Sequence, residues 1–192
     1  MPVKPVYLFP ALALLAMVWL APVDRLMPAF AAHMVRHMVL VALAAPLIVL
    51  ALPNIAHRAA VPPLAAALAE FVVVWGWHLS AAHALGRLQN LGFAAEQASF
   101  LAVGLMIWAS CLRRDQPLAG AGGLLLTSMH MTLLGVLLVL APRDIYADIC
   151  GTASDLSGQQ IGGMLMLAIG TPVYLIAGLW LTGQALQERR QA

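Results

Sequence analysis

Two histidines, four residues apart, open an apolar segment of helical length at residues 30–53, FAAHMVRHMVLVALAAPLIVLALP. Residues at i and i+4 lie about 40° apart around a helix, so His33 and His37 project from one face. Arg36 lies between them, and imidazole and guanidinium groups inside membrane segments usually face a protein interior or a wet cavity. The spacing is also a common metal-binding geometry. We therefore interpret the pair as candidate metal ligands, with hydrogen-bonded packing as the alternative.

Methionines near the histidines bear on the identity of a bound metal. Neutral imidazole suits zinc, copper, iron and nickel, whereas thioethers select soft Cu(I). Six of the 10 methionines lie beside a histidine or in the last apolar segment: Met34, Met38, Met129, Met131, Met164 and Met166. Methionine is also a flexible filler of helix interfaces, so this pattern favours copper over zinc only slightly.

The composition places these residues in a membrane. With 62% hydrophobic residues, 9% charged residues and a mean hydropathy of +0.90, the chain has too little polar surface for a water-soluble globule. A spanning helix needs ~20 apolar residues, so the chain fits about six spans and no sizeable soluble domain. We predict an all-α fold, a polytopic bundle of about six transmembrane helices in one domain, residues 1–192. The helices are expected near residues 6–21, 29–52, 64–85, 91–112, 124–141 and 159–182.

Basic residues indicate the orientation in the membrane. The side with both termini and the second and fourth loops carries Lys4, Arg58, Arg113, Arg114, Arg189 and Arg190, and the opposite side carries Arg25, Arg87 and Arg143. The positive-inside rule therefore predicts cytoplasmic termini. The first apolar run also suits a signal peptide, but no small-x-small cleavage site follows, so an uncleaved helix is expected. No basic cluster suggests nucleic acid.

Most other intramembrane polar residues are expected at one depth. At ~1.5 Å of rise per residue, His37 and His78 both lie roughly 10 Å below the outer boundary. Glu96 lies near the start of helix four, which enters the membrane from the same side. Gln159 and Gln160 stand at the outer end of helix six, and His130 lies about a turn deeper on helix five, so these residues belong to the same outer layer. Residues kept only for packing have no reason to share a depth, so the layer is interpreted as one site.

Glu70, His83 and the two cysteines are left outside this interpretation. Glu70 lies in the inner half of helix three with no evident partner. His83 is five positions from His78, about 140° round the helix, so it is expected to face elsewhere and to serve in packing. Cys111 and Cys150 are expected on opposite sides of the membrane, which excludes a disulfide between them. No CxxC, haem-attachment, triad or phosphate-loop motif is present.

Several short motifs, taken in order, carry a resemblance to a known family. They are HMVRHMVLVALAAPLIVLALP at residues 33–53, WGWH at 75–78, Ala95 with Glu96, Pro142 with Tyr146, and QQIGGMLM at 159–166. Together they resemble the CtaG family of cytochrome c oxidase assembly factors, over five of the six expected helices. The resemblance implies a bacterial inner-membrane protein linked to copper supply. It also implies a shared outer-face site formed by His33, His37, His78 and Glu96.

The chain departs from the family pattern at three positions. Family members tend to have a histidine three positions before the helix-four glutamate and another just after it, where this chain has Phe93 and Gln97. They also tend to have an aspartate before the paired glutamines, where this chain has Gly158. Asp155, three residues upstream, is the candidate substitute. These departures leave open whether a family metal site is altered, weakened or absent.

The leading hypothesis is a membrane assembly factor for a haem-copper oxidase that binds or delivers copper at the outer leaflet. His33 and His37 are the expected ligands, and His78 completes a three-nitrogen set. Glu96 is expected to accept a hydrogen bond that fixes an imidazole tautomer. The other supporting positions are His130, Asp155, Gln159 and Gln160, of which the glutamines hold the last helix against the layer. The expected partner is an oxidase subunit or a periplasmic copper chaperone, and no catalysis is required.

Three alternatives stay open. Histidines from two helices at one depth also clamp a haem, as in a b-type or quinol-linked membrane redox protein. A metal-dependent membrane hydrolase would use Glu96 as the general base for a metal-bound water. A metal-free protein would use the polar layer as a surface for docking the oxidase. Haem gives a Soret band that a Cu(I) site lacks, so an optical spectrum separates the first alternative.

Overall fold

The computed structural model describes residues 3–113 and 115–191, apart from the side chains at positions 55, 59, 189 and 191. Arg114 and the Arg189 side chain, used for the orientation prediction, lie outside the described residues. Within this part of the chain the regular structure is helical, with no strand. The helices are α1 (Pro5–Leu20), α2 (Val23–Leu26), α3 (Ala29–Met38), α4 (Ala45–Ala51), α5 (Pro53–Ala59), α6 (Pro63–His78), α7 (Ser80–Leu88), α8 (Asn90–Cys111), α9 (Pro117–Leu140), α10 (Ala147–Cys150), α11 (Leu156–Leu165) and α12 (Thr171–Gln191).

Four continuous helical segments of the described chain are long and apolar enough to cross a membrane: Ala29–Ala51, Asn90–Cys111, Pro117–Leu140 and Leu156–Glu188. The bent pair α6 and α7 counts as a fifth. Helix α1 has 16 residues, or about 24 Å, which is short of the ~30 Å hydrocarbon core. These helices confirm the prediction of an all-α polytopic membrane protein.

Two helices are longer than the sequence patterns predict. Helix α9 begins at Pro117 rather than near residue 124, because proline is well suited to the first helical turn, where its missing N–H leaves no bond unmade. The last helical segment begins at Leu156 rather than 159, because Asp155 caps it. At the centre of the bundle, α9 packs against α6, α11 and α12, and α8 packs against α4, α6 and α7.

The third predicted helix, residues 64–85, is instead two helices. Helix α6 ends at His78, Leu79 has extended backbone (φ −66°, ψ 136°), and α7 leaves at an angle of 74° to α6. Helix α7 then folds back along α8. This return is close at Gly92, where an added Cβ would lie 2.3 Å from the Leu85 carbonyl oxygen. The bend brings the polar residues of both halves toward α3 and α8.

A π-helical stretch, Val39–Ala44, joins α3 to α4. Because the Ala45 N–H donates to the Leu40 carbonyl and Pro46 has no N–H, the Val41 carbonyl lacks its usual backbone donors. Trp108 Nε1 donates to it instead at 2.8 Å, and the Tyr174 hydroxyl oxygen lies 3.1 Å from it. The stretch therefore ties this segment to α8 and α12.

Glu70, for which no partner was evident from the sequence, has two hydrogen-bond partners. It is fully buried in α6, and its carboxylate accepts from the Thr127 hydroxyl at 2.9 Å and the Tyr174 hydroxyl at 2.6 Å. The donors come from α9 and α12. Glu70 thus joins three helices, and both of its oxygens are hydrogen-bonded.

Candidate metal site

Two histidines of α3 lie one turn apart inside the bundle. His33 is fully buried and His37 is 1% exposed. Their ring centroids are 4.1 Å apart, as expected for side chains on one helix face. Phe100 of α8 stacks on His37 with 3.8 Å between centroids. The two imidazoles therefore lie at the contact between α3 and α8, where they are shielded from lipid.

Glu96 of α8 reaches both imidazoles from the facing helix. Its Oε1 lies 3.1 Å from His33 Nε2 and 3.5 Å from His37 Nε2. One ligand atom from each of the three residues lies within 4.8 Å of the others. Two ligands of one tetrahedral ion, each about 2.0–2.1 Å from the metal, are about 3.3 Å apart. The sequence predicts Glu96 behind the two candidate ligands, whereas in the structure its carboxylate lies beside both imidazoles, at separations that one ion can bridge.

His78 ends α6 and faces the same group. Its Nδ1 donates to the Val74 carbonyl at 2.6 Å, so Nδ1 carries the proton and Nε2 carries a lone pair. Nε2 is buried with no hydrogen-bond partner in the described part of the chain. The His78 and His37 ring centroids are 5.9 Å apart. His78 has the tautomer of an Nε2 ligand, but it lies outside the 4.8 Å group of the other three residues.

Gln97 and Phe93 stand where the family resemblance implies histidines. Gln97 Nε2 donates to Glu96 Oε2 at 3.2 Å and lies 3.4 Å from His37 Nε2. Phe93 packs edge-on against Trp19 with 5.7 Å between centroids. Gln97 therefore supports the carboxylate as a donor, while Phe93 adds only packing. The two departures remove imidazoles but leave the three-residue group in place.

His83 of α7 lies closer to this group than the sequence predicts. Its ring centroid is 5.3 Å from that of His33 and 4.1 Å from that of Tyr146. The predicted separation of 140° from His78 assumes one continuous helix, and the break at Leu79 removes that constraint. The expectation that His83 faces away was therefore wrong. Predicting the position of His83 would have required a sign that the helix ends before it. The bend is at Leu79, and neither proline nor glycine stands there to mark it.

Several buried polar atoms of the group have no partner. Nδ1 of His33, Nδ1 of His37, Nε2 of His78 and Oε1 of Gln97 make no hydrogen bond to any described residue. Buried polar atoms are nearly always paired, and each unpaired one costs roughly 1–3 kcal/mol. Four at one place are unusual for a purely structural cluster. Together with the imidazole and carboxylate donors, they fit a site for a transition metal ion.

His130 and Asp155, predicted as supporting residues, have other contacts. The His130 ring packs edge-on against Phe71, with 5.4 Å between centroids, and neither of its nitrogens is bonded to a described residue. Asp155 is the N-cap of α11 and accepts from the Gly158 N–H at 2.9 Å. Asp155 thus stabilises the start of α11 rather than the histidine group.

Gln159 and Gln160 fasten the start of α11 to the end of α9. Gln159 Nε2 donates to the Leu138 carbonyl at 3.1 Å, and its Oε1 accepts from the Ile145 N–H at 2.9 Å. Gln160 Nε2 donates to the Val139 carbonyl at 3.1 Å. The glutamines therefore hold the last helical segment by hydrogen bonds, and their partners are backbone groups rather than the histidines.

Arg36, although between the two histidines in sequence, bonds to α1 and α2. Its Nη1 donates to Asp24 Oδ1 at 3.0 Å, its Nη2 donates to the other oxygen, and its Nε donates to the Val18 carbonyl at 3.4 Å. The hydrogen-bonded guanidinium holds the pKa of Asp24 below its usual range. Asp24 thereby compensates the cation in α3, so Glu96 is the charged residue of the candidate site.

The methionines beside the two histidines serve packing. A Cβ added to Gly162 would lie 2.9 Å from Met34 Cγ, and one added to Gly170 would lie 3.1 Å from Met38 Sδ. Both side chains are buried, so they fill the space that these glycines leave. This supports the filler interpretation for the two residues, and the donor set is one of nitrogen and oxygen.

The fold and these donors define a polytopic membrane protein with a buried, metal-compatible group. More particularly, residues 2–188 match the family described as cytochrome c oxidase caa3 assembly factor (Caa3_CtaG). Because the match covers nearly the whole chain, the protein belongs to this family, as the motifs predicted. Comparisons with curated proteins and with solved structures find no match. The family description names an assembly role and no reaction.

Proposed function

We propose that this assembly factor binds one copper ion with His33, His37 and Glu96 and gives it up during maturation of a haem-copper oxidase. The observation that carries the proposal is the buried group of two imidazoles and a carboxylate with donor atoms within 4.8 Å of one another. The family description, cytochrome c oxidase caa3 assembly factor, supplies the context. Copper is the cargo in this proposal.

The charge of the group favours Cu(I) over a divalent ion. Two neutral imidazoles and one ionised carboxylate carry a single negative charge, so Cu(I) gives a neutral site. A divalent ion would leave a net positive charge in a membrane segment, which is costly. Arg36 does not alter this balance, because Asp24 pairs with it. Imidazole is an established ligand type for copper.

His78 supplies a third nitrogen in this proposal. A backbone carbonyl holds its Nδ1–H, and the Nε2 lone pair is buried without a partner among the described residues. Histidines that bind metals are commonly oriented in this way by their second nitrogen. Because His78 is the last residue of α6, next to the break at Leu79, a small movement of that turn changes its distance from His37.

The proposal includes the orientation that the basic residues predict. With both termini cytoplasmic, the group lies near the outer face of a bacterial inner membrane. A periplasmic copper chaperone is then the source of the ion, and an oxidase subunit is its recipient. A site of three or four neutral or singly charged donors suits transient rather than permanent binding.

The arrangement supports copper better than the alternatives. His33 and His37 share one helix face with rings 4.1 Å apart, whereas a haem clamp uses ligands on opposite sides of the macrocycle. Glu96 contacts both imidazoles and is therefore not free to act as a general base. The polar layer is buried, so it is not displayed for docking.

A Cu(I) titration of the purified protein against a chromophoric chelator tests the proposal. The wild-type protein is expected to bind one ion. His37→Ala removes one donor and Glu96→Gln replaces an anionic donor with a neutral amide, so each is expected to lower the affinity by at least about tenfold. His57→Ala is the matched control and is expected to bind as the wild type does, since His57 is exposed on α5.

Circular dichroism and size-exclusion profiles confirm that each variant is folded. Wild-type affinity in both site variants would exclude these residues as ligands. A wild-type protein that binds no copper would reject the proposal altogether. A Soret band in the purified protein would instead favour haem.

A further inference from the structure

The buried group has no direct contact with solvent, but a cavity lies beside it. His33 and Glu96 are fully buried, so an ion must pass other residues to reach them. A cavity of about 230 Å³ opens where α7, α10 and the start of α11 meet. Residues of its wall that bear on metal binding are His83, Arg87, Asp144, Tyr146, Cys150 and Asp155.

His83 connects this cavity with the buried group. It lines the cavity, and its ring centroid lies 5.3 Å from that of His33. It is 3% exposed, and no described side chain or backbone group forms a hydrogen bond with its imidazole. An unpaired and nearly buried imidazole between a cavity and a candidate ligand is well placed to bind a metal ion.

Cys150 adds a thiol to the same cavity. The cysteine is free and half-buried, and it ends α10, which packs against α7, the helix that carries His83. Thiolate sulfur prefers soft metal ions such as Cu(I). The cavity therefore combines a sulfur donor at the surface with a nitrogen donor at its inner wall.

Asp144 holds the cavity wall in place. Its Oδ1 accepts from the N–H groups of Tyr146 and Ala147 at 2.9 and 3.2 Å, and its Oδ2 accepts from the Asp155 N–H at 2.9 Å. Burial raises the pKa of Asp144 and these backbone hydrogen bonds lower it, with a net shift below its usual value. The carboxylate is thus ionised at neutral pH, and with Asp155 it outweighs the single positive charge of Arg87. A cavity of this charge attracts cations.

We propose that this cavity is the loading route for copper, in which Cys150 binds the ion first and His83 passes it to His33. The inference rests on the proposed function. Cu(I) displaces the thiol proton of Cys150 to solvent, and ligand exchange then moves the ion from sulfur to imidazole nitrogen. The thiolate regains a proton from solvent when the ion leaves, so the oxidation state of copper does not change.

Stopped-flow measurement of Cu(I) loading, with the full chain in lipid nanodiscs and a chromophoric Cu(I) chelate as donor, tests the route. Cys150→Ser and His83→Ala are each expected to slow loading by about tenfold or more, while the final copper stoichiometry stays at the wild-type value. Cys111→Ala, at the far end of α8, and His57→Ala, on α5, are the controls and are expected to load at the wild-type rate.

The outcomes separate this inference from the proposed function. Wild-type loading rates in both route variants would overturn the route alone. A lower final stoichiometry in either variant would make that residue a permanent ligand and would also overturn the route. A wild-type protein that takes up no copper would overturn the proposed function and the route with it.

A second measurement does not depend on the folding of a variant. N-ethylmaleimide is expected to modify Cys150 in the wild-type protein and to slow the copper loading that follows. Cys150→Ser is the control, in which the reagent is expected to leave the loading rate unchanged. An alkylated wild-type protein that loads at the normal rate would contradict the route.

Discussion

Glu96 contacts donors from two helices, and its two oxygens have different neighbours. Oε1 faces the His33 and His37 imidazoles, whereas Oε2 accepts from Gln97. Oε2 also lies against α7, because a Cβ added to Gly86 would be 2.9 Å from it. The space that the carboxylate occupies therefore depends on a glycine at position 86, which the sequence alone did not indicate.

Gly86→Ala is expected to weaken copper binding without removing a ligand. The added methyl group displaces the Glu96 carboxylate from the two imidazoles, and changes behind metal ligands typically cost about 10–100-fold in affinity. The Cu(I) titration measures this effect. Gly76→Ala is the matched control, since a Cβ there meets nothing within 4 Å, and equal affinities for the two variants would contradict the role given to Glu96.

The sequence was enough to predict that His33 and His37 share a helix face, but not what surrounds them. Their spacing of four residues predicted that the two side chains lie on one helix face. The rise per residue predicted that they lie at about the same depth in the membrane as Glu96. Depth along a helix says nothing about rotation of its neighbours, so the direct contact of Glu96 with both imidazoles was not predicted. The position of His83 was missed for a different reason, because it depends on a bend that tertiary packing produces.

At the scale of elements, two irregular segments position the polar residues. The break at Leu79 has neither proline nor glycine at the bend, and the close return of α7 along α8 at Gly92 shows that packing produces it. Because of the π-helical stretch before Pro46, the Val41 carbonyl has Trp108 and Tyr174 as hydrogen-bonding neighbours in place of a backbone N–H. Proline at position 46 was visible in the sequence, but the distant side chains that satisfy the carbonyl were not.

The short helix α2 is tied to α3 by one ion pair, and its removal tests this connection. Asp24→Asn is expected to lower stability by about 1 kcal/mol at pH 7, because the Asp24 side chain is 57% exposed and solvent screens its pair with Arg36. Pairing lowers the pKa of Asp24 below 3.8, so its contribution is complete above that pH and is lost as pH falls through the lower pKa of the folded protein.

Thermal unfolding of both proteins in detergent, from neutral to strongly acidic pH, measures this difference. The wild-type and Asp24→Asn midpoints are expected to converge in acid. Asp148→Asn, at an exposed position of α10, is the control and is expected to unfold as the wild type does. A difference that keeps its full size in strong acid would show that the ion pair is not its source.

At the scale of the whole molecule, two buried carboxylates have different surroundings. Glu70 joins three helices, and both of its oxygens accept hydroxyl hydrogen bonds. Glu96 lies among imidazoles, and four polar atoms of that group are unpaired within the described chain. The first cluster is complete as a structural element, whereas the second has donors to offer a ligand. This contrast is the physical reason for proposing the Glu96 group, and not the Glu70 cluster, as a metal site.

Composition alone predicted the class of the molecule, because its few charged residues cannot cover a soluble surface. The ordered motifs then predicted the family, which the match over residues 2–188 confirms. The lateral packing of the helices could not be predicted from the sequence, because apolar segments of the same lengths can be arranged side by side in several ways. The two hydrogen-bond partners of Glu70 were not predicted for this reason, because Thr127 and Tyr174 belong to helices far from it along the chain.

X-ray absorption at the copper K-edge of the copper-loaded protein shows which atoms surround the ion. We expect a nearest shell of nitrogen and oxygen without sulfur and with the outer-shell pattern of imidazole. In the His33→Ala, His37→Ala double variant, which keeps only His78, that pattern is expected to weaken. A nearest shell dominated by sulfur, or an imidazole pattern of full strength in the double variant, would contradict this ligand set.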